Sequence, residues 1–300
     1  MYVLITLLFV KKKLAFIINP ISGGISKDNF SDLVDKHINK NIFDCNLFYT
    51  QSTEHNKELA KACVAQQYDA IVAVGGDGTI NNTAKYIAGT DILFGIIPLG
   101  SGNGLARHLN LSMKQEEALK AINNCNYMSM DTGLANNEFF LNVAGVGFDA
   151  HVSWMFANAP KRGFWQYTKI TLAEFAKYKT RKYQIKVDGI SITEEAFLVC
   201  IANGSQYGNN AYIAPNANIN DGVFEITILK PFKIYQMPQL GARIFNKTIH
   251  QSAHVKVLSG KHIVIEREKT EVVNIDGEPL MMDLQIDVKL IPANLKIIVA

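Results

Sequence analysis

Between residues 14 and 97 the chain alternates short unbroken apolar runs with longer stretches in which apolar residues return every three or four positions. Residues 14–18, 46–49, 70–74 and 93–97 have the length of short strands, and 70–74 and 93–97 are apolar enough to be buried on both faces. Residues 29–39, with Phe30, Leu33, Val34 and Ile38 on one side, are periodic as helices are, and so are residues 55–67 and 81–88. Strands and helices alternating at this spacing predict a parallel, doubly wound sheet that binds ligands beyond the carboxyl ends of its strands. From about Asp131 the period falls to two: residues 139–144, 183–188, 196–201, 222–229, 254–258, 262–266 and 271–275 read as strands separated by polar turns. They predict a mostly antiparallel second domain, a β-sandwich, interrupted by helical patterning at 164–178 and 233–245. The closing runs, 285–290 and 295–299, are strand-like and are expected to return to the first domain. The expected fold is therefore α/β plus β. Residues 1–130 and about 285–300 are expected to form the α/β domain, and 131–284 the sandwich.

Composition narrows the function classes only a little. Three hundred residues, 48% hydrophobic and 19% charged, describe a globular chain with enough apolar residues for one large or two ordinary cores. A net charge of +3 argues against purely electrostatic attachment to nucleic acid. Cys45, Cys63, Cys125 and Cys200 are scattered with no C-x-x-C pair, as expected of reduced thiols in a cytoplasm. The first ten residues are apolar and precede Lys11, Lys12 and Lys13, but spanning a bilayer takes roughly 20 apolar residues. A secretory signal carries its charge ahead of the apolar core. A short extension, a misassigned start or an extra edge strand is the expectation, rather than a membrane anchor.

The chemistry concentrates in Gly75-Gly76-Asp77-Gly78-Thr79-Ile80-Asn81, which follows the apolar run 70–74 and opens a helical stretch. A strand, a glycine turn and a helix N-terminus bring backbone N–H groups and a favourable dipole to a phosphate. A carboxylate beside phosphates repels them unless a cation intervenes, so Asp77 implies Mg²⁺, with Thr79 and Asn81 orienting the phosphates. Two further loops leave the same sheet end, Asn19 to Gly24 and Pro98 to Asn103, and should converge with it on one crevice. A second acidic turn, Asp276-Gly277-Glu278-Pro279, is explained as a hairpin turn at Asp276 and Gly277 but not at Glu278. Facing the phosphate loop, Glu278 would take the proton from an attacking hydroxyl. A third segment, rich in Asn and Gly between Ala202 and Gly222, holds Asp221 among carbonyl-bearing turn residues. Its spacing suits either a hard-cation site or an Asx-type turn.

Taken in order, Asn19-Pro20-Ile21-Ser22-Gly23, Gly75–Thr79, Pro98-Leu99-Gly100-Ser101-Gly102-Asn103, Gly145-Val146-Gly147-Phe148-Asp149, Ala202-Asn203-Gly204, Asp221-Gly222 and Asp276-Gly277-Glu278 resemble the diacylglycerol kinase/sphingosine kinase catalytic-domain family. The bacterial YegS- and DgkB-like lipid kinases look most similar. The resemblance runs from about Leu14 to Val299 and implies ATP- and Mg²⁺-dependent phosphorylation of a lipid hydroxyl on a diacylglycerol- or sphingoid-like acceptor. It implies ATP contacts at Asn19, Pro20, Ile21, Ser22, Gly23, Thr50, Gly75, Gly76, Asp77, Gly78, Thr79, Ile80, Asn81 and Ser101. Glu278 falls on the family's proton acceptor with Asp276 beside it. Asp77 and Asp131 match acidic positions of the Mg²⁺ network, and Asp221 with the backbone oxygens of Asn218 and Val223 matches a structural Mg²⁺ site. One departure stands out. Diacylglycerol kinases of this group carry Asp after the Asn of the third loop, whereas here Asn103 is followed by Gly104, a form that looks more like the sphingosine-kinase branch. The departure removes one ligand from the implied metal network. Arg107, on the next helix, balances phosphate charge or is solvated.

Lys161, Arg162, Lys169, Lys177, Lys179, Arg181, Lys182 and Lys186 are interleaved with Phe164, Trp165, Tyr167, Phe175 and Tyr178, opposed only by Glu174. That mixture suits a helix lying on an anionic membrane, or equally a helix that packs its aromatic residues on the sandwich and solvates its cations. The expected partners are a lipid substrate and the inner face of a membrane, with no nucleic acid and with room for a homodimer. Two other functions fit part of the pattern. NAD kinases share Gly-Gly-Asp-Gly-Thr and a two-domain plan, but the Pro98–Asn103 loop and the 276–278 turn sit better with lipid kinases. A non-catalytic lipid- or nucleotide-binding protein would not need both Asp77 and Glu278.

Overall fold

The computed structural model describes residues 10–24, 27, 29–160, 164–175 and 177–299. The apolar segment 1–9, Lys161, Arg162 and the Phe164 side chain lie outside that description. In chain order the elements are β1 (Lys12–Ile18), α1 (Phe30–His37), β2 (Phe43–Tyr49), α2 (Thr53–Ala65), β3 (Ala70–Gly75), α3 (Asp77–Ile87), β4 (Leu93–Pro98), α4 (Gly104–His108), α5 (Gln115–Ile122), β5 (Tyr127–Ala135), β6 (Glu138–Phe140) and β7 (Val143–Gly147). Then follow α6 (Phe148–Ala157), α7 (Phe164–Phe175), β8 (Arg181–Val187), β9 (Ile190–Ala196), β10 (Leu198–Ala202), β11 (Phe224–Leu229), α8 (Met237–Phe245), β12 (Val255–Gly260), β13 (His262–Glu266), β14 (Glu271–Ile275), β15 (Glu278–Met282) and β16 (Gln285–Ile298).

Strands β2, β1, β3 and β4 pair in that order and in parallel. Their apolar runs are continuous because both faces are covered. Leu14, Phe16, Ile18, Val72 and Val74 pack with Phe30 and Val34 of α1 and with Leu119 and Ile122 of α5. Ala15, Ile17, Ile71 and Ala73 pack with Ala60 and Cys63 of α2 and with Ile80, Ala84 and Ile87 of α3. The chain reverses its winding between β1 and β3, and the loops that leave those two strands flank the switch point where such sheets bind ligands.

β16 carries this sheet into the second domain. Near its end it pairs parallel to β4 (Ile297 with Phe94), earlier it pairs antiparallel to β13, and along both halves it pairs with β5. The two expected closing strands are thus one strand with an irregularity between Ile291 and Leu295. Beyond β13 the sheet continues to β8 and β9, making eight strands on one path, and β5 and β6 attached beside it bring the sheet to ten. A second, six-stranded sheet runs β12-β11-β10-β7-β14-β15 with antiparallel neighbours. Between the sheets lie Phe140, Tyr183, Ile185, Phe224, Ile226, Ile263, Val273 and Val288, a sandwich core. The outer face of the six-stranded sheet is not bare, because Phe148, Val152, Leu240 and Ile249 pack there with Leu198, Cys200 and Leu229.

Two expected strands prove to be broken. Residues 139–144 split at Leu141 and Asn142, so that β6 joins the first sheet and β7 the second. Residues 196–201 split at Phe197, between β9 in one sheet and β10 in the other. Helix α3 starts four residues earlier than its periodicity suggests, with Gly76 as its N-cap, so Asp77, Gly78 and Thr79 form its first turn. The helix at 164–178 stops at Phe175. Phe140 is fully buried and its ring stacks on Phe224 with 5.4 Å between centroids. Phe140→Ala is expected to cost about 3–5 kcal/mol of stability, measured by urea unfolding, because the sandwich cannot close around the lost ring.

Candidate active site

Three loops meet at the carboxyl end of the parallel sheet. Gly100 lies so close to the glycine turn that a Cβ added there would stand 2.6 Å from the Gly76 Cα. Only a residue without a side chain allows this backbone-to-backbone approach. Asn103, in the left-handed region at φ 53°, accepts from the Gly100 N–H at 2.8 Å through Oδ1 and donates to the Gly100 carbonyl at 2.9 Å. Asp77 ties the second loop to the third: Oδ2 accepts from Asn103 N–H and Oδ1 from Gly104 N–H, both at 2.9 Å. The first loop is fastened by Asn19, whose Nδ2 donates to Thr79 Oγ1 at 3.1 Å and whose Oδ1 accepts from Ile21 N–H at 3.1 Å. The buried Lys27 donates to the Ser22 carbonyl beneath it.

The second domain closes over these loops through Asp276. Its Oδ2 accepts from Asn81 Nδ2 and from Leu141 N–H, each at 2.7 Å, and its Oδ1 accepts from Asn142 N–H at 2.9 Å and Val143 N–H at 2.8 Å. Those three backbone donors are the two residues at which the expected strand breaks and the first residue of β7. The turn then presents Glu278 at the first turn of α3, where a Cβ built on Gly78 would lie 3.4 Å from Glu278 Oε1.

A crevice of about 460 Å³ opens between the domains, bordered by Ser22, Gly23, Gly76, Asp77, Gly78, Ile80 and Ser101 on one side and by Asn142, Asn274, Asp276 and Glu278 on the other. Phe156, Tyr167 and Tyr207 extend it with an apolar wall. A second hollow of about 300 Å³ is lined by Asn19, Pro20, Ile21, Thr50, Thr79 and Asn82. Gly78 and Glu278 line both, so Glu278 stands where the two spaces meet. Gly75 and Asn81 line neither: Gly75 ends β3 in the interior, and Asn81 holds Asp276.

Three carboxyl groups crowd this junction, and no Lys, Arg or His is among the described residues lining either space. Burial raises the pKa of Asp77, against the pull of its two backbone donors, and Asp276 raises it further. Asp276 is likewise raised by burial, which outweighs its four donors. Burial and then the charge of Asp276 raise Glu278, with Lys57 and Lys85 opposing from farther away. Hard oxygen donors that raise one another's pKa are of the kind a divalent cation takes, although these three do not cluster closely enough to cage an ion by themselves.

The remaining acidic residues gather elsewhere. Asp131 is buried on β5, where Oδ1 accepts from Ala293 N–H at 2.7 Å, in the irregularity of β16, and Oδ2 from Gly222 N–H at 2.8 Å. Asp221 is exposed and accepts from Val223 N–H, two residues on, at 3.2 Å, in an Asx-type arrangement. Asn218, Asp221, Val223 and Asp131 therefore belong to one loop system that does not line the crevice. Among the described residues no three His, Cys, Asp or Glu side chains cluster as a metal site.

Gly104, the departure in the third loop, has a steric cause. A Cβ there would meet Asn142 Nδ2 at 2.8 Å and the carbonyl oxygens of Gln206 and Tyr207 at 3.2 Å. The loop after β10 fills the space an aspartate would need, and Asn142 Nδ2 holds it by donating to the Gln206 carbonyl at 2.7 Å. Asn203 completes the junction, donating to the Leu141 and Asp131 carbonyls at 2.7 and 2.8 Å. Sequence reasoning missed Asn142, Lys27 and the link made by Asn203. A polar Asn142 inside an otherwise apolar run was the one available signal.

Two family models cover the chain. The diacylglycerol kinase catalytic domain matches residues 13–135, and the YegS C-terminal NAD kinase beta sandwich-like domain matches residues 142–299. A diacylglycerol kinase of Mycobacterium tuberculosis is 30% identical over 257 residues, covering 81% of this chain and 80% of its own length. The chain belongs to the diacylglycerol kinase catalytic-domain family. It is a lipid kinase, and the expected α/β plus β architecture is the observed one. Among other relatives of this lipid kinase, the diacylglycerol kinase of Bacillus subtilis is 25% identical over 283 residues, 89% of this chain and 90% of that one. A crystal structure of a diacylglycerol kinase from Bacillus anthracis str. Sterne shares the fold, with a TM-score of 0.75 over 96% of this chain and 97% of that one at 23% identity.

Gly104→Asp is expected to lower the melting temperature and depress turnover together, because the new side chain separates the third loop from the second domain. Thermal unfolding and a kinase assay read both. Asp149, buried behind Tyr207 and Asn274, has its pKa pushed up to about 7 by burial. The unfolded chain releases that proton near 3.8, so the stability of the neutral form is full below that pH and is lost as pH rises toward about 7. Asp149→Asn is expected to remove a loss on the order of a few kcal/mol between pH 4 and 7. Denaturant unfolding as a function of pH measures it.

Proposed function

We propose that this lipid kinase transfers the γ-phosphoryl group of ATP to the hydroxyl of a diacylglycerol- or sphingoid-like lipid, with Mg²⁺. The observation that carries the reading is the place of Glu278, reached by both spaces of the crevice and set against the first turn of α3. The glycine turn and the N-terminus of α3 offer backbone N–H groups to the phosphates, and Asn19, Ser22, Thr79 and Ser101 border the same loops. Because no Lys, Arg or His is among the described residues lining the crevice, a bound triphosphate there calls for a divalent cation. Asp77 would hold it, and the ion would neutralise charge on the phosphates.

The acceptor enters along the wall of Phe156, Tyr167 and Tyr207 and presents its hydroxyl to Glu278. The acceptor oxygen bonds to the γ-phosphorus, the bond from that phosphorus to the β–γ bridging oxygen breaks, ADP departs, and the hydroxyl proton passes to the Glu278 carboxylate. Asp276 keeps the turn in place. The elevated pKa of Glu278 brings it closer to working pH, which makes it a better base than an ordinary exposed glutamate. The loop around Asp221 is a separate proposal: its carboxylate and the carbonyls of Asn218 and Val223 have the hard donors of a structural Mg²⁺ site, and Asp131 would brace that loop.

Glu278→Gln is expected to lower kcat at least about 100-fold while the melting temperature stays within a degree or so, read with labelled ATP against diacylglycerol and sphingosine separately. Retained turnover in the folded variant would exclude Glu278 as the base. In the wild type, kcat/KM should rise with pH along an acidic limb displaced above the ordinary glutamate value of 4.5, since the base works only after losing its proton. A pH–rate profile measures the displacement.

A further inference from the structure

Close behind the crevice, in the first turn of α6, lies a carboxylate that lines neither of its two spaces, Asp149. Gly145 of β7 is paired with Asn274 of β14 on one side and with Cys200 of β10 on the other. A Cβ on Gly145 would stand 2.0 Å from Asp149 Oδ2, so the missing side chain leaves a slot in the six-stranded sheet into which the carboxylate folds back. Gly147, at φ 98°, makes the tight turn from β7 into α6 that brings Asp149 there. The glycines and the aspartate of Gly145-Val146-Gly147-Phe148-Asp149 are thus one device, and what it builds is a buried hydrogen-bond acceptor beside Asn274 and Tyr207.

Both oxygens of Asp149 are engaged. Oδ1 accepts from the Ala150 N–H at 2.8 Å, and Oδ2 accepts from Tyr207 Oη at 3.3 Å and from Asn274 Nδ2 at 3.5 Å. Asn274 is only 4% exposed, and its other end serves the turn that carries Glu278: Oδ1 accepts from the Gly277 N–H at 2.9 Å. A side-chain amide has one donor end and one acceptor end. Between a carboxylate and an N–H only one of its two orientations satisfies both, because the flipped amide would set Nδ2 against the Gly277 N–H and Oδ1 against the carboxylate. Tyr207 stands on the apolar wall of the crevice, and the loop it opens is tied to the third loop, the Asn209 N–H donating to the Gly102 carbonyl at 3.2 Å. Asp149 therefore reaches the turn of Glu278 through Asn274 and the apolar wall through Tyr207.

We propose that Asp149 is a positioning residue for phosphoryl transfer: by fixing the Asn274 amide and the Tyr207 hydroxyl together, it sets the turn that carries Glu278 at a constant distance from the wall along which the lipid enters. The inference rests on the reading of Glu278 as the base. Asp149 itself meets neither substrate, since Asn274 and Tyr207 stand at the crevice and it does not. The turn is then held by two buried carboxylates, Asp276 through Asn81 and the amides of residues 141–143, and Asp149 through Asn274. A slack turn is costly, because misplacing reacting groups by about 1 Å slows a reaction on the order of 100-fold.

The test exchanges the pair. At a pH of about 8, above the value of about 7 to which burial pushes the Asp149 carboxyl, Asp149→Asn sets an NH2 group against one of its donors, and Asn274→Asp sets carboxylate against carboxylate. Each single variant is expected to lower kcat about 10-fold or more while KM for ATP changes by less than about twofold, with diacylglycerol and sphingosine assayed separately. The exchange Asp149→Asn/Asn274→Asp again faces a donor with an acceptor and should return kcat to within about threefold of the wild type. In a Glu278→Gln background Asp149→Asn should subtract nothing further from the residual turnover. The proposal is overturned by folded single variants with wild-type kcat, by an exchange no better than the product of the two singles, or by an Asp149→Asn penalty that persists undiminished beside Glu278→Gln. Should a single variant fail to fold, Tyr207→Phe, which removes one donor and keeps the ring, takes its place: a lowered kcat at unchanged KM for ATP supports the proposal, and an unchanged kcat overturns it. Glu278→Gln alone judges the base. Turnover retained there ends that reading and this inference with it, whereas turnover lost there with the Asp149 variants unaffected ends this inference only.

Discussion

One carboxylate holds the two sides of the crevice together. Asp276 accepts four hydrogen bonds, one from a side chain of the first domain and three from consecutive backbone amides at the point where the chain passes from one sheet to the other. Such a group is costly to bury and stable only when every lone pair is answered, so the arrangement tolerates little movement. The strand break at Leu141 and Asn142, the path of β7, and the direction in which Glu278 points all follow from satisfying that one side chain. Asp276 thus positions the turn that carries Glu278.

The same economy explains why the acidic residues form two separate groups. Asp77, Asp276 and Glu278 share the crevice, where their charges oppose one another and invite a cation. Asp131 spends both oxygens on backbone amides of Gly222 and Ala293, bracing a surface loop against the irregularity in β16. Asn203 links these regions through the backbone at Leu141 and Asp131. Among the described residues, the polar interior around the crevice is therefore mostly amide and carbonyl pairing.

Much of the first domain was legible because its physics is local. A strand buried on both faces must be continuously apolar, and a helix on one face must repeat every three to four residues, so residues 14–97 could be read almost directly. The glycine turn was legible for a similar reason, since close backbone approach leaves a compositional trace. The second domain was harder. A run such as 139–144 looks like one strand when judged by apolarity, and nothing local says that Asp276, more than a hundred residues later, will bend it. Helix α6 is apolar on nearly every side, so its period was hidden, and α5 and β15 are short. Gly104 showed as a departure in the sequence, but its cause, the carbonyls of Gln206 and Tyr207, exists only after folding.

The pairing of β16 with β4 has a consequence for how the molecule is made. Phe94 finds its neighbour Ile297 only after roughly two hundred further residues have been synthesised. Until then the parallel sheet emerges from the ribosome with an open, apolar edge, and the parallel half cannot be completed ahead of the sandwich. Such long-range closure favours slow, all-at-once maturation over stepwise assembly.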